Sequence, residues 1–263
     1  MRSFQETYAR YFCRKRYYKI NMFLYRLSLR GMGILNYQNE KLSGEHAFIM
    51  GLNICNTKFI VFDIGANQGN YSLAIKREYP LAQVYAFEPH PKTYSKLEDV
   101  SRIYGFKAIN SALGDKIEQM ALYDHKSDGV LGTEHASIYR DVIEGFHGSQ
   151  SQQFIVNVAT VDKYMLENSI DKIDLLKIDT EGNELNVLRG ATDALKNNRI
   201  DMIHFEFNSL NVFSRVFMKD YFDLLKNFSF FRMLTDGLIP IKYDYVTSEI
   251  FAFQNIVAVR VRS

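Results

Sequence analysis

Apolar residues in this chain come in short runs that stop at acids. Phe59-Ile-Val-Phe stops at Asp63, Val84-Tyr-Ala-Phe at Glu88, the run 173–178 at Asp179, and the run 201–207 carries Glu206 near its end. Apolar runs of this length, bounded by turn residues, predict buried strands. Between them lie segments with three- and four-residue spacing. These are 72–79, 92–104 (Tyr94, Leu97, Val100, Tyr104), 184–196 (Leu185, Leu188, Leu195) and 221–228, all predicted helices. Asp162 is expected to cap a short helix running through Glu167. Residues 106–109 predict a third strand, 119–123 and 154–160 two more, and the aromatic segments 230–235 and 251–261 an antiparallel pair. Strands alternating with helices predict an α/β fold around a doubly wound, mostly parallel sheet.

Two regions depart from that alternation. Residues 124–153 are polar, glycine-bearing and without period, and a stretch that long in a compact domain predicts a lid or substrate loop. Residues 1–50 read as a basic, aromatic, helical extension, and 51–263 as the main domain. The first thirty residues carry a net charge of +7, with Glu6 their one acid, against −5 for the rest. Aromatics interleave with these bases, among them Tyr8, Tyr11, Phe12, Tyr17, Tyr18, Phe23 and Tyr25. Such a segment suits a helix docked on the core with solvated bases, or peripheral association with an anionic membrane; nucleic acid is the least favoured partner.

Composition bounds the remainder. The 263 residues, 47% hydrophobic and 24% charged, suit one large soluble α/β domain with an extension. Cys13 and Cys55 give neither a disulfide framework nor metal-ligand spacing, so a reducing, cytoplasmic location is expected. No apolar run reaches the roughly eighteen residues of a membrane span, and charges interrupt every candidate leader.

The turn after the first strand is the chemical signal. It reads Asp63-Ile-Gly65-Ala-Asn67-Gln-Gly69-Asn-Tyr71-Ser72, and Glu88 ends the next strand. Strand, glycine turn, helix and acid-tipped strand form the half-unit that holds an adenosine group at strand ends. A helix opening after Gly69 offers free N–H groups to an anion. Glu88 can accept from a ribose diol, in a dinucleotide or in S-adenosylmethionine. The turn separates the two: an acid ahead of the first glycine is awkward beside a pyrophosphate and natural beside the ammonium of an amino acid. Four acids on one rim suit a sulfonium cofactor.

Several ordered motifs then carry a resemblance. The turn, Phe87-Glu88-Pro89, Asn110-x-Ala-Leu-Gly-Asp115, Leu176-Lys-Ile-Asp179-x-Glu181-Gly182-x-Glu184 and Val187-Leu-x-Gly190-Ala191 resemble the FkbM-type methyltransferases. Gly31-Met-Gly33-Ile and Ser43-Gly44-Glu45 are similar to that family as well. The resemblance implies a class I, Rossmann-like methyltransferase fold, S-adenosyl-L-methionine as methyl donor, and transfer to a hydroxyl oxygen, with sugars and glycolipids among the acceptors. On this reading Asp63, Gly65, Asn67, Gly69, Tyr71 and Ser72 hold the methionine end, Glu88 the ribose, and Ser111, Ala112 and Leu113 flank the adenine. Asp179 stands where the reacting methyl should point. Where relatives carry paired serines, this chain reads Glu134-His135-Ala136-Ser137-Ile138, so substrate roles do not transfer there.

A sugar hydroxyl is a poor nucleophile, and a positioned base helps. The candidates are Asp179, Glu181, Glu206 and His135, with His204 read more readily as a hydrogen-bonded core residue. Glu181 and Glu184 could hold a divalent metal with Asp179, but no spacing is diagnostic and none is expected. Three rival readings stand beside this one. A nicotinamide oxidoreductase lacks its pyrophosphate loop here. A non-catalytic methyltransferase-like binding subunit would bind without turnover. A methyltransferase acting on protein or small-molecule nitrogen would usually show Asn/Asp-Pro-Pro-Tyr, where Asp179-Thr-Glu-Gly stands.

Overall fold

The computed structural model describes residues 2–52, 59–125, 137–138 and 150–261. Its strands are β1 (Ile60–Ile64), β2 (Gln83–Phe87), β3 (Lys107–Ile109), β4 (Ala112–Leu113), β5 (Glu118–His125), β6 (Ser151–Ala159), β7 (Ile173–Ile178), β8 (Ile200–Phe207), β9 (Phe228–Leu234), β10 (Gly237–Ile241) and β11 (Gln254–Arg260). Its helices are α1 (Arg2–Phe12), α2 (Tyr18–Gly31), α3 (Glu40–Ser43), α4 (Glu45–Met50), α5 (Asn70–Glu78), α6 (Pro91–Tyr104), α7 (Val161–Glu167), α8 (Glu184–Arg189), α9 (Thr192–Lys196), α10 (Leu210–Ser214) and α11 (Met218–Leu224).

The main sheet runs β3-β2-β1-β7-β8-β11-β9-β10. Pairing is parallel from β3 through β8, and β11 inserts antiparallel between β8 and β9. The tail therefore forms the expected antiparallel pair, β9 with β11. It also adds β10 outside β9, an edge strand tolerant of Pro240. A second, three-stranded sheet, β4-β6-β5, stands beside the end of β3.

Strand alternation sorts the core. Phe62 and Ile64, Leu176 and Ile178, Ile203 and Phe205 face one side, in a cluster with helix residues such as Met165, Leu188 and Tyr221. Val61, Leu175 and Val257 face the other side, against Phe48 and Ile49 of α4 and Tyr71 and Ile75 of α5. Two residues further along, this second face turns polar. Register places Asp63 beside Lys177 and Lys177 beside His204. One step beyond come Gly65, Asp179 and Glu206, the last paired with Asn255. The polar rows thus sit at the carboxyl ends of β1, β7 and β8, where open α/β sheets bind ligands.

Two helix expectations are corrected. The segment 184–196 breaks into α8 and α9 at Gly190, where the Ala191 N–H turns to the Leu188 carbonyl; the position must be glycine, since a Cβ there would lie 1.9 Å from the Gly114 carbonyl oxygen. Thr160 caps α7, accepting from the Lys163 N–H. Asp162 instead accepts from the N–H groups of Asp193 and Ala194, both at 2.8 Å, and so caps α9.

Candidate functional site

Two cavities open at the carboxyl ends of the strands, and Gly65, Asn67 and Asp179 line both. The first, about 730 Å³ including its open mouth, is lined by the β1 turn, Glu88, Ser111 to Leu113, Leu122, Ile138 and the segment from Asp179 to Glu181. The turn is fixed by backbone bonds from the Gly65 and Ala66 N–H groups to the Phe87 carbonyl. Gly65, at φ 76°, could not be another residue, since a Cβ would stand 1.7 Å from the Asp179 carbonyl oxygen. The close approach is therefore between β1 and β7.

Glu88 is tied down on both oxygens. Oε2 accepts from the Asn67 N–H at 3.0 Å and Oε1 from the His90 N–H at 2.8 Å. Burial pushes its carboxyl up to about 7 against those two N–H groups. Each oxygen keeps a second lone pair for the cleft. Asn67 itself sits at φ 50°, and its buried Oδ1 has no hydrogen-bond partner among the described residues. The Ser111 hydroxyl donates to the backbone, to the Ala112 carbonyl at 2.8 Å, so Ser111 meets the cleft mainly as a wall.

The other predicted residues lie deeper or elsewhere. Asp63 is fully buried beneath the turn. Its Oδ2 accepts from the Ser72 hydroxyl at 2.7 Å, and its Oδ1 faces the Lys177 ammonium at 3.4 Å. Gly69 starts α5 at φ 89° and packs on Leu97. Tyr71 lines the second cavity. Glu181, at φ 54°, lines the first, and its carbonyl accepts from the Ser137 hydroxyl at 3.1 Å. His135 and most of the 124–153 loop lie outside the described residues. Glu184 is spent on structure: Oε1 accepts from the Thr180 N–H and hydroxyl and the Gly182 N–H, while burial lifts the carboxyl to about 7. Among the described residues no group of three or more His, Cys, Asp and Glu is arranged to hold a metal.

The second cavity is larger and acidic. Glu40, Glu45, Asp179 and Glu206 line it with Lys177, Tyr71, Asn39 and Asn70. Sequence reasoning had not singled out Lys177 or Glu45 for the site. Lys177 stands 3.2 Å from Asp179 and lies over the Tyr71 ring at 5.3 Å. Burial opposes its charge, but Asp179, Asp63, Glu45 and Glu206 outweigh burial and hold it above the ordinary lysine range. Burial lifts Glu45 to about 7. Glu206 is raised well above the usual carboxylate value by burial, then by Asp179, Glu181 and Glu45. His204 is buried, with ring nitrogens 3.4 Å from the Tyr71 hydroxyl and 3.2 Å from Asn255 Oδ1. Burial, then Lys177, lowers it to about 4, so it is neutral at physiological pH. A lysine flanked by Leu175, Leu176 and Ile178 in a buried central strand was the available signal for Lys177.

A parallel sheet with one antiparallel strand inserted next to its last parallel strand, and a glycine turn feeding an acid-tipped cleft, define a class I methyltransferase. Residues 63–232 match the Methyltransferase FkbM domain, and the chain belongs to that family. It is 29% identical over 147 residues to "Methyltransferase 1" of Beauveria bassiana, covering 51% of this chain and 59% of that protein. It is 23% identical over 192 residues to 2-O-methyltransferase NoeI of Sinorhizobium fredii, covering 68% and 76%. It is 27% identical over 138 residues to Hexuronic acid methyltransferase AglP of Haloferax volcanii, covering 52% of each. The first and third matches thus span little more than half the length of those relatives.

The first cavity fits the cofactor. It offers the bidentate Glu88, the unpartnered Asn67 oxygen, and an apolar slot of Leu113, Leu122 and Ile138 for a flat base.

Proposed function

We propose that this chain transfers a methyl group from S-adenosylmethionine to a hydroxyl oxygen, and that the hydroxyl belongs to a sugar. The observation that carries the reading is the pair of cavities joined at Gly65, Asn67 and Asp179, one suited to a nucleoside and one polar. Relatives whose names specify 2-O-methyl transfer and a hexuronic acid support the acceptor class.

Glu88 would hold the ribose, Ser111 to Leu113 the base, and the Gly65–Asn67 turn with Asp179 the methionine end. Asp63, Gly69, Ser72 and Lys177 set the shape of that turn from below. When bound, S-adenosylmethionine supplies a sulfonium methyl that departs as the O–C bond forms, its electron pair staying on sulfur. The protein's task is to align the hydroxyl and exclude water. Glu206 is our base for the hydroxyl proton, because it lines the second cavity, where an acceptor hydroxyl would enter beside Asp179. Lys177 is a clamp between Asp63 and Asp179, and His204 a neutral strut.

Calorimetric titration with S-adenosylhomocysteine, beside Glu88→Ala and Asp63→Ala, tests the cofactor half. Micromolar binding lost in both variants supports it, and no binding by the folded native chain overturns it. Transfer of labelled methyl to neutral, amino and acidic sugars tests the other half. Label reaching only amines would replace the O-methyl reading with N-methyl transfer.

A further inference from the structure

The first two helices form a hairpin outside the core. The Tyr8 hydroxyl donates to Asn21 Oδ1 at 2.8 Å, and the Asn21 amide donates to the Phe12 carbonyl at 3.1 Å. Tyr8 stacks on Phe12 with ring centroids 4.8 Å apart. The two hydrogen bonds, both through Asn21, hold α1 to α2, while the ring stack lies within α1. Leu29 is the buried residue of α2, next to the point where the chain joins the domain.

The sequence allowed a helix whose apolar side docks on the core, but α2 turns that side outward. Ile20, Phe23, Leu24 and Leu27 follow at three- and four-residue spacing and so share one stripe. They are 55%, 61%, 45% and 49% exposed. Lys19, Arg26 and Arg30, at seven- and four-residue spacing, run along one flank of the stripe and are exposed. The connection adds the exposed Arg14, Lys15 and Arg16, and α1 adds exposed Arg10, Phe4 and Tyr11. The hairpin precedes the family-matched residues 63–232, so the methyl-transfer fold does not account for it.

We propose that this hairpin is an interfacial anchor for an anionic lipid bilayer. The stripe would sink to the boundary between headgroups and acyl chains, with the flanking bases meeting anionic headgroups. No described helix is long and apolar enough to cross a membrane, so the anchor lies on the surface. A second copy of the chain is a poorer occupant, because two hairpins of net charge +7 would meet face to face. Nucleic acid would use the bases but leave the apolar stripe in water.

The test is cosedimentation of the full chain with vesicles of phosphatidylcholine alone and of phosphatidylcholine with phosphatidylglycerol. Preferred pelleting with the anionic vesicles, weakening with salt, is expected. A variant carrying Ile20→Ser, Phe23→Ser and Leu27→Ser should lose about tenfold in vesicle affinity. So should one carrying Arg14→Gln, Lys15→Gln, Arg16→Gln and Lys19→Gln. Circular dichroism should show helix content and the thermal transition retained in both. Equal pelleting with both lipids overturns the proposal, as does native-like binding by the serine variant. A dimer seen by light scattering that the serine variant dissociates would assign the stripe to a second copy instead.

Discussion

Lys177 and Asp63 form an ion pair across neighbouring strands, 3.4 Å apart, with side chains 6% and 0% exposed. The same ammonium reaches Asp179 at 3.2 Å, so one cation ties the start of the glycine turn to the end of β7. Charge this deep is retained only when it is paired. Lys177→Met would leave the fully buried Asp63 without its cation, and breaking such a pair costs about 3–5 kcal/mol. The double variant Asp63→Asn with Lys177→Met should recover part of that loss. Urea denaturation checks both, and a single variant as stable as the native chain would contradict the clamp.

Three carboxyls make stability fall as pH rises. Burial lifts Glu45, Glu88 and Glu184 each from 4.5 to about 7. Below about pH 4.5 the folded and unfolded chains both hold these protons. Between about 4.5 and 7 only the folded chain does, so the advantage present at lower pH is lost across that window. His204 acts oppositely: lowered to about 4, it stays neutral while the unfolded ring takes a proton up to about 6.5. Four raised carboxyls, Glu206 among them, against two lowered imidazoles, His204 and His90, should leave the native chain less stable at pH 7.5 than at 5.5. Glu45→Gln should flatten the slope and raise stability at pH 7.5 by about 1 kcal/mol, discounted for a side chain a quarter exposed. Denaturation curves at the two pH values check the sign.

The strands and their acidic ends were legible because apolar runs bounded by turn residues are local signals. So were the turn and Glu88, where each residue type has a backbone or ligand reason of its own. The break between α8 and α9 was hidden because the start of α9 is capped from outside the segment, by Asp162. The true cap of α7 was missed because Asp162, the stronger-looking candidate, caps a helix thirty residues on. Lys177 passed as one residue of an apolar strand. Glu45 stands far from Asp179 and Glu206 in sequence, and only packing of α4 over the sheet brings it to the cavity they share.

Glu206→Gln should separate catalysis from binding. The amide keeps the shape and a hydrogen-bond acceptor but takes no proton. Loss of a positioned base costs on the order of 10²-fold in kcat. Affinity for S-adenosylhomocysteine should change less than about twofold, since Glu206 lines the second cavity and not the first. Steady-state kinetics beside calorimetry reads both quantities. An unchanged kcat would remove Glu206 as the base, and a joint loss of kcat and cofactor affinity would make it structural.

Gly65 and Gly105 both hold positive φ, 76° and 70°, and their contrast tests why the turn needs glycine. Nothing lies within 4 Å of a Cβ built on Gly105, so Gly105→Ala meets only the left-handed strain, about 1 kcal/mol. At Gly65 the same methyl would overlap the Asp179 carbonyl oxygen at 1.7 Å. To admit it, β1 and β7 must part, which stretches the Asp179 N–H bond to the Ile64 carbonyl, now 2.9 Å. It would also pull Asp179 from Lys177. Gly65→Ala should therefore destabilise the chain by more than about 2 kcal/mol and abolish S-adenosylhomocysteine binding at temperatures where it remains folded. Gly105→Ala should bind like the native chain. Thermal denaturation and calorimetry on the pair decide the point: equal behaviour would mean that backbone conformation alone, and not contact between the two strands, sets the cofactor turn.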